Sequence, residues 1–486
     1  MTRHPLLPIK IDSTSNGEYA PVPVSRAIVA AQHEAARRLD DNARRTGQSR
    51  RAFLSSLAGA ATSLLALNQA FAARGAADGF YRVPAAAALD QEVAQAALGG
   101  DEFIFDVQCH MVDPDGPWRR NAGRGFINAL RSFPQGACGE TDAAECYSAD
   151  MFVKEVFLDS DTDLAVMSFV PSPPETNPLS LQEAARAARL VEQLDGTHRL
   201  LLHAMVMPNL PNRALQLERM EQAAADYDIA AWKVYTQWGI DGVGWWLDDP
   251  EIGIPFIEKA RQLGIRTIAI HKGLSFGGQQ AQFASCVDVG RAARLFPDIN
   301  FLIYHSGFEV RRREGPYDAA NAAAGVDSLV KSLLDNGIAP NGNVYAELGS
   351  TWRILMRDPN MGAHVLGKLF RYVGERNVLW GTDSIWYGSP QDQITAFRAF
   401  EISEELQARH GYPAMTPALR QAVFGLNGAR VYGIDAAEVR RKASVDPVGR
   451  TKEEYAAERT PTFATYGPRT LEEFRTLSAL HGGWPG

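Results

Sequence analysis

The sequence of 486 residues has little cysteine, no excess of basic residues and no long hydrophobic run. Its net charge of −8 makes nucleic acid a poor candidate partner, because nothing provides a general basic field. The most apolar stretch, residues 54–72, contains Ser55, Ser63 and Asn68 and is too polar for a stable membrane anchor. No glycine-rich phosphate fingerprint follows the first predicted strand. The composition, 45% apolar and 22% charged, is that of a globular protein.

An arginine pair near the amino terminus has the pattern of an export signal. Arg50 and Arg51 precede an Ala-rich apolar run that ends in small residues. This resembles a twin-arginine signal with cleavage expected near Ala72 or Ala73, and it predicts a periplasmic or secreted protein whose partners include the export machinery. The alternative is an ordinary surface helix after an arginine pair.

The four cysteines separate into two kinds of environment. Cys138 and Cys146 flank an acidic, Gly-containing loop and could close a small disulfide in an oxidising compartment. Cys109 and Cys286 are expected to stay free. The spacings match neither a zinc ribbon nor a redox pair.

A repeating strand and helix pattern begins near residue 101. The eight apolar runs of strand length are continuous rather than alternating, as expected of strands covered on both faces. They lie at residues 103–109, 164–170, 200–206, 229–235, 266–271, 301–305, 344–348 and 378–382. Helical stretches lie between them. Eight such units predict an α/β fold, a (β/α)8 TIM-like barrel with a long first loop and a C-terminal helical extension. A doubly wound open sheet is the alternative.

The barrel divides the chain into four expected regions. Residues 1–73 are an amino-terminal lead and signal, 74–100 a linker with a short helix, 101–435 the barrel, and 436–486 an extension. Residues 1–48 are polar and weakly amphipathic, so we expect them to lie outside the compact core.

Polar residues capable of catalysis follow several strands. His110 follows the first strand, His271 ends the fifth, His305 ends the sixth and Asp383 follows the eighth. Active sites of such barrels lie at the carboxyl ends of the strands, so these four side chains are expected to meet there. A lone histidine of this kind is more often structural than a ligand, but three histidines and an aspartate at one barrel end favour a functional site.

The contexts FDVQCH, AIHKG, IYHSG and WGTDS resemble the amidohydrolase superfamily, specifically the amidohydrolase-related branch that includes aminocarboxymuconate semialdehyde decarboxylase-like enzymes. The resemblance covers about two thirds of the chain. It implies a distorted barrel with one divalent metal, usually zinc. On this sequence the implied ligands are His110, His271 and Asp383, with His305 as acid or base and Asp383 also accepting a proton. Barrels of this family often form homodimers.

Gln108 departs from the family pattern, because it occupies the position of the first histidine in the strand 1 motif. An amide oxygen is a weaker ligand than imidazole, so metal affinity should fall. Either the metal is retained with Gln108 or water completing the site, or it is lost.

Several further residues are candidates for binding the substrate. Lys233 and Glu347 lie in the fourth and seventh strands. Lys233 could bind a substrate carboxylate, bridge metals once carboxylated as in other branches of the superfamily, or pair with Glu347. Arg311 begins an arginine run that could hold a carboxylate or form a solvated loop. Six tryptophans after strands predict an aromatic pocket for a planar or cyclic substrate. They are Trp118, Trp238, Trp245, Trp246, Trp352 and Trp386.

These features lead to three functional hypotheses. The first is a metal-dependent hydrolase of an ester, lactone or amide bond in a cyclic carboxylated small molecule. The second is a non-oxidative decarboxylase of an aromatic acid that uses the same residues. The third is a non-catalytic barrel that has lost its metal.

Overall fold

The structure, a computed structural model, describes most of the chain. The described residues are 6–73, 80–120, 138, 140–142, 144–173, 176–195, 198–239, 243–275, 280–445, 447–456, 460–461, 463, 465 and 467–480. Within them, no helix combines the length and the apolar character that crossing a membrane requires.

Eight parallel strands form one sheet in sequential order, which confirms the predicted (β/α)8 barrel. The strands are β1 Phe105–Cys109, β2 Leu164–Met167, β3 Leu200–Met205, β4 Ala231–Tyr235, β5 Thr267–His271, β6 Asn300–Tyr304, β7 Val344–Glu347 and β8 Val378–Leu379. The first and last strands of the sheet are brought together by backbone hydrogen bonds. Val107 N in β1, for example, donates to the carbonyl oxygen of Trp380, the residue after β8, at 3.0 Å. Most strand residues are buried, because helices cover the outer face and side chains fill the interior.

The helices surround this sheet and extend beyond it at both termini. They are α1 Arg26–Arg45, α2 Arg50–Leu54, α3 Leu57–Ala72, α4 Gln91–Leu98, α5 Ala149–Phe152, α6 Leu181–Asp195, α7 Arg213–Asp226, α8 Gly253–Gln262, α9 Val289–Leu295, α10 Val326–Asp335, α11 Thr351–Leu355, α12 Pro359–Lys368, α13 Gln391–Ala399, α14 Glu404–His410, α15 Pro417–Gln421, α16 Asn427–Tyr432, α17 Ala436–Ala443, α18 Pro447–Ala456 and α19 Leu471–Leu480. The expected carboxy-terminal helical extension is therefore present as α17 to α19.

The amino-terminal region packs on the barrel, so the expectation that residues 1–48 lie outside the core is wrong. Ile9, Ile11 and Leu39 are buried in the same hydrophobic cluster as the barrel-side residues Trp380 and Phe397. The apolar face of α1 packs on α3 and so removes its side chains from water. The weak amphipathic pattern in this part of the sequence therefore corresponds to α1, whose apolar face is directed at the core.

The helix expected to be an export signal is also buried in this structure. Leu64 and Leu67 of α3 have no exposed surface, and the following chain is tied to the barrel by Arg82 N donating to Ala399 O at 2.7 Å. Arg50 and Arg51, in contrast, are exposed.

The cysteines occupy the environments expected of them. Cys138 and Cys146 form a disulfide with Cα atoms 5.6 Å apart. Cys109 and Cys286 are free and buried.

We call residues 6–23 the amino-terminal strap. It crosses the barrel end and reaches the carboxy-terminal region, where Ser15 N donates to Pro468 O at 2.9 Å and Ser13 Oγ donates to Arg469 O at 2.7 Å. The strap and the carboxy-terminal chain around Pro468 therefore meet over the carboxyl ends of the strands, where the catalytic site of such a barrel is expected.

Candidate active site at the barrel end

Two histidines from neighbouring strands face one another at the barrel end. His305 Nε2 lies 3.2 Å from His271 Nδ1, and both side chains are fully buried. His305 Nδ1 lies 2.7 Å from the carbonyl oxygen of Gly349 and donates to it, which leaves Nε2 as the atom that faces the site. Burial lowers the pKa of both rings, that of His305 to about 4, so both are neutral imidazoles near pH 7.

The backbone of this site is held in unusual conformations. His305 has φ of 64° and Asp383 has φ of 61°, in the left-handed region that residues other than glycine rarely adopt. Glu347 stabilises the first of these turns, because its carboxylate accepts the backbone N–H groups of His305 at 3.1 Å and Gly349 at 2.5 Å. Such conformations cluster at functional sites, where surrounding contacts enforce them.

Asp383 lies at the centre of a second set of contacts. Its Oδ1 lies 3.1 Å from His110 Nε2 and accepts a hydrogen bond from Gln108 Nε2 at 3.1 Å, while Oδ2 accepts from Ser350 Oγ. Burial alone would raise the pKa of Asp383, but its contacts with His110 and with the Ser350 hydroxyl bring it below its ordinary value. Asp383 is therefore ionised and can accept a proton.

Glu18 reaches this site from the amino-terminal strap, and the prediction from the sequence missed it. Its Oε1 lies 3.9 Å from His271 Nδ1. Among the described residues, Glu18, His271 and His305 form a group of potential metal ligands whose donor atoms all lie within 4.8 Å of one another. Burial and the nearby Asp383 raise the pKa of Glu18 to about 8, so a proton or a cation is favoured there.

The expected ligand set therefore differs from the observed grouping. His110, His271 and Asp383 do not form such a compact group in the described part of the chain. His110 and Asp383 are turned toward each other instead, and His305, expected to act as acid or base, stands beside His271.

Gln108 does face the site, as its position in the strand 1 motif predicts. Its Nε2 donates to Asp383 and lies 3.5 Å from His305 Nε2, and its Oε1 makes no hydrogen bond within the described residues. In this arrangement the amide nitrogen of Gln108 is a donor to Asp383. Asp106 lies two residues earlier in β1. Its side chain accepts a hydrogen bond from Thr382 N at 3.0 Å and so joins β1 to the residues that follow β8.

Lys233 is a buried cation close to the two histidines. In the described chain its Nζ makes no hydrogen bond and no ion pair with Glu347, so the expected alternative of a Lys233–Glu347 pair is wrong. The ammonium lies 3.7 Å from the ring centroid of Tyr304 and 4.6 Å from that of Tyr235. Burial lowers its pKa to about 7, although Glu18, Glu347 and Asp383 oppose that shift.

The six tryptophans do not form one pocket wall. Trp386 borders the site, because it stacks on His110 with centroids 5.4 Å apart, and Trp238 belongs to a small cluster with Tyr235. Trp352 lies in the core, where its indole N–H donates to Gln393 O and its ring packs on Phe397.

The remaining aromatic and arginine candidates lie in other surroundings. Trp118 donates to Asp113 O, Trp245 packs on Phe256 and Trp246 packs on Phe283. Arg311 is exposed and makes no hydrogen bond or ion pair with the site residues in the described chain, as expected of a solvated loop.

The grouping of Glu18, His271 and His305 fits a divalent metal ion in donor type and spacing. Two imidazoles and one carboxylate are a common three-ligand set for catalytic zinc and other first-row metals. Ligand atoms bound tetrahedrally at about 2.0–2.1 Å lie about 3.4 Å apart, close to the 3.2 Å and 3.9 Å found here. The Gly349 contact would orient His305 as an outer-shell partner orients a ligand.

A family profile described as amidohydrolase matches residues 178–434, which include β3 to β8 and three of the four predicted strand-end residues. The chain belongs to the amidohydrolase family. Among curated proteins, no significant match to the sequence was found.

Solved structures with similar folds cover about two thirds of this amidohydrolase. A 2,6-dihydroxybenzoate decarboxylase from Rhizobium is 15% identical, with a TM-score of 0.41, and the match covers 68% of this chain and 99% of that one. A manganese-bound 5-carboxyvanillate decarboxylase from Novosphingobium aromaticivorans is 13% identical, with a TM-score of 0.42 and coverage of 68% and 97%. An amidohydrolase from Bifidobacterium longum is 14% identical, with a TM-score of 0.36 and coverage of 69% and 100%.

Proposed function

We propose that this amidohydrolase is a metal-dependent hydrolase, with zinc as the ion, that cleaves an ester, lactone or amide bond of a cyclic carboxylated small molecule. The observation that carries the proposal is the grouping of two neutral imidazoles and a carboxylate beside an ionised Asp383. A bound divalent ion would polarise the substrate carbonyl and lower the pKa of a coordinated water.

The protein's own residues supply the proton transfers of such a reaction. Hydrolysis adds water across the acyl C–O or C–N bond, so the site must accept a proton from water and deliver one to the leaving group. Asp383 is suited to the first task, because it is ionised and lies 3.1 Å from His110 Nε2. His110 is suited to pass that proton onward, since its Nε2 lies 3.1 Å from Asp383 Oδ1.

Lys233 and the neighbouring aromatic rings support a planar carboxylated substrate. The ammonium lies against Tyr304 and Tyr235, and the Tyr235 ring in turn stacks on His271 at 4.7 Å. A carboxylate bound to Lys233 would give that cation a partner and place an adjacent ring over the histidines.

Non-oxidative decarboxylation of an aromatic acid is the second candidate, and Lys233 also favours it. A cation that binds a substrate carboxylate inside a buried site suits a reaction in which that carboxylate is the leaving group. Carbon dioxide would leave and a proton would replace it on the ring carbon, with no net water consumed.

Product analysis separates the two candidates. The purified protein would be assayed with aryl lactones and esters and with hydroxybenzoates, measuring both acid release and carbon dioxide. Hydrolysis predicts acid release with no carbon dioxide, and His305→Ala should abolish it. Carbon dioxide release would support the second candidate. Absence of any turnover by a metal-loaded protein would favour a non-catalytic barrel.

We also propose export through the twin-arginine route. Arg50 and Arg51 are exposed, which suits recognition by an export receptor, and a protein exported this way folds before it crosses the membrane. Fractionation of cells that express the full chain, with Arg50→Lys and Arg51→Lys as the matched variant, would test this. Equal cytoplasmic retention of both proteins would contradict it.

A further inference from the structure

We propose that Glu18 is a ligand of the metal in this site, and that the amino-terminal strap therefore remains part of the active site in the working protein. The proposal rests on the proposed metal-dependent function. It deepens that function by assigning a ligand from outside the barrel.

The carboxylate of Glu18 is positioned by a neighbour on the strap. Asn16 Nδ2 donates to Glu18 Oε2 at 2.9 Å and to Asp383 Oδ2 at 2.9 Å, so one amide group bridges the two carboxylates. This leaves Oε1, the oxygen nearer to His271, directed at the histidine pair. Ligating carboxylates are usually oriented by hydrogen bonds of this kind.

The turn that carries Glu18 is built by its own hydrogen bonds. Glu18 N donates to Asn16 Oδ1 at 2.9 Å, and Gly17 N donates to Ser15 Oγ at 2.9 Å. The Tyr19 hydroxyl donates to Thr14 O at 3.0 Å. Gly17 has φ of 93°, which a residue with a side chain rarely adopts. Glu18 is therefore held in a defined conformation.

The strap is anchored before this turn by two charged pairs. Lys10 Nζ donates to Tyr387 O at 2.7 Å and lies 3.6 Å from Asp392 Oδ1. Asp12 Oδ1 accepts from Arg353 at 2.8 Å and its Oδ2 accepts from Thr465 at 3.0 Å. Lys10, which is buried, and Asp12, which is partly exposed, thus meet partners on the barrel helices and on the carboxy-terminal chain, as in a permanent part of a fold.

Glu18 also accounts for the altered strand 1 motif. Gln108 stands where the family pattern has a histidine ligand, and it donates to Asp383. The carboxylate of Glu18 would supply the metal ligand that β1 lacks when Gln108 replaces histidine. When a cation replaces its proton the carboxylate is anionic, so it binds a divalent ion more strongly than a neutral amide oxygen does.

Retention of the strap has a consequence for processing of the chain. Cleavage near Ala72 or Ala73 would separate Glu18 from the barrel covalently. The buried Leu64 and Leu67 of α3 would have to leave the core before that segment could be released. The working protein should therefore contain its strap, whether or not it is exported.

The test is metal affinity of the full chain, measured by chelator competition with zinc and, separately, with manganese. Wild type is compared with Glu18→Gln, with His271→Ala and with Glu34→Gln, a matched control on the surface of α1. Glu18→Gln should weaken zinc binding at least about 100-fold, more than loss of an outer-shell partner usually does. Glu34→Gln should bind as wild type does, and Glu18→Asp should be intermediate.

The outcomes separate this proposal from the function it rests on. If His271→Ala loses the metal while Glu18→Gln binds normally, Glu18 is not a ligand and the metal site stands. If Glu18→Gln keeps its metal and gains activity, the strap is an inhibitory segment and the proposal is wrong. If wild type binds no metal, the proposed function itself fails. Equal unfolding temperatures of the metal-free proteins would exclude misfolding as the cause.

Intact mass of the metal-loaded protein from its native cell fraction provides the second measurement. A mass that includes Glu18 is expected. A metal-loaded, active form that begins at residue 73 or later would overturn the proposal.

Discussion

Glu18 Oε1 lies 3.9 Å from His271 Nδ1, although Glu18 belongs to a segment that precedes the barrel and His271 ends its fifth strand. The contact closes a ring of polar groups at the barrel end. From Glu18 the ring passes through His271, His305, Gln108, Asp383 and Asn16 and returns to Glu18, and each neighbouring pair lies within 3.9 Å. A substitution of one of these residues should therefore alter the positions of its neighbours in the ring.

Asn16→Ala should weaken metal binding without unfolding the protein. It removes the amide that holds the carboxylates of Glu18 and Asp383, an outer-shell change that typically costs about 10–100-fold in metal affinity. The measurement is zinc affinity by chelator competition. Asn212→Ala, which removes the side-chain cap of α7 far along the sequence, is the control and should lower only stability. Unchanged affinity in Asn16→Ala would mean that the bridge does not orient a ligand.

Gln108→His should tighten metal binding. The side chain lies between Asp383 and His305, so an imidazole there would face the site and is a stronger ligand than an amide. We expect zinc affinity to rise at least about 10-fold, as a change from a neutral amide to an imidazole donor implies. Calorimetric titration of the metal-free protein measures it. An affinity equal to that of wild type would show that position 108 cannot contribute a ligand.

Lys233→Met should impair binding of carboxylated substrates selectively. Methionine keeps much of the stem but removes the ammonium, and a buried charge without a hydrogen-bond partner in the described chain contributes little to folding. KM should rise about 100-fold for a carboxylated substrate, the loss of about 3 kcal/mol that a buried charged contact can supply. The neutral analogue of the same substrate should be turned over as by wild type. Equal effects on both substrates would contradict this role.

The ion pair between Asp12 and Arg353 should make strap docking sensitive to acid. Burial alone would raise the pKa of Asp12, but the charges of Arg353 and Arg469 and hydrogen bonds from Thr14 hold it well below its usual range. A depressed folded-state pKa gives stability that is present above the unfolded value of about 4 and is lost as pH falls through the folded value. Asp12→Asn should therefore be about 2–4 kcal/mol less stable than wild type at pH 7.

Denaturant unfolding of both proteins from pH 7 to pH 2.5 checks this prediction. The difference between them should shrink below pH 4, because Asp12 then binds a proton in the unfolded wild-type chain, which stabilises that unfolded state and has no counterpart in the asparagine variant. A difference that stays constant down to pH 2.5 would show that the carboxylate charge does not anchor the strap.

The strands of the barrel were predictable because each is a short, continuous apolar run in a regular repeat. All eight lie within two residues of their expected starts, and β8 is shorter than predicted because the chain after Leu379 turns toward β1. The common location of the strand-end residues was predictable from the topology, since parallel strands in sequential order bring their carboxyl ends to one face of the barrel. His110, His271, His305 and Asp383 meet there for that reason.

Glu18 and the burial of the strap were not predictable by the same reasoning. The strap has no helical or strand periodicity, and its turn is defined by side-chain contacts with residues that lie hundreds of positions away, such as Asp383. The one local signal was Asn16-Gly17, a turn dipeptide inside a polar stretch, which indicates a turn but not where it docks. For α3, an Ala-rich apolar run fits a buried helix as well as an export signal, so hydrophobicity alone could not decide between them.

The central claim is a metal ion held by Glu18, His271 and His305, and elemental analysis tests it most directly. The full chain would be loaded with zinc, dialysed extensively and analysed beside His271→Ala and His305→Ala. Close to one zinc ion per chain in wild type, with little or none in either variant, is the expected result. Wild type without bound metal, or both variants with as much zinc as wild type, would contradict the claim.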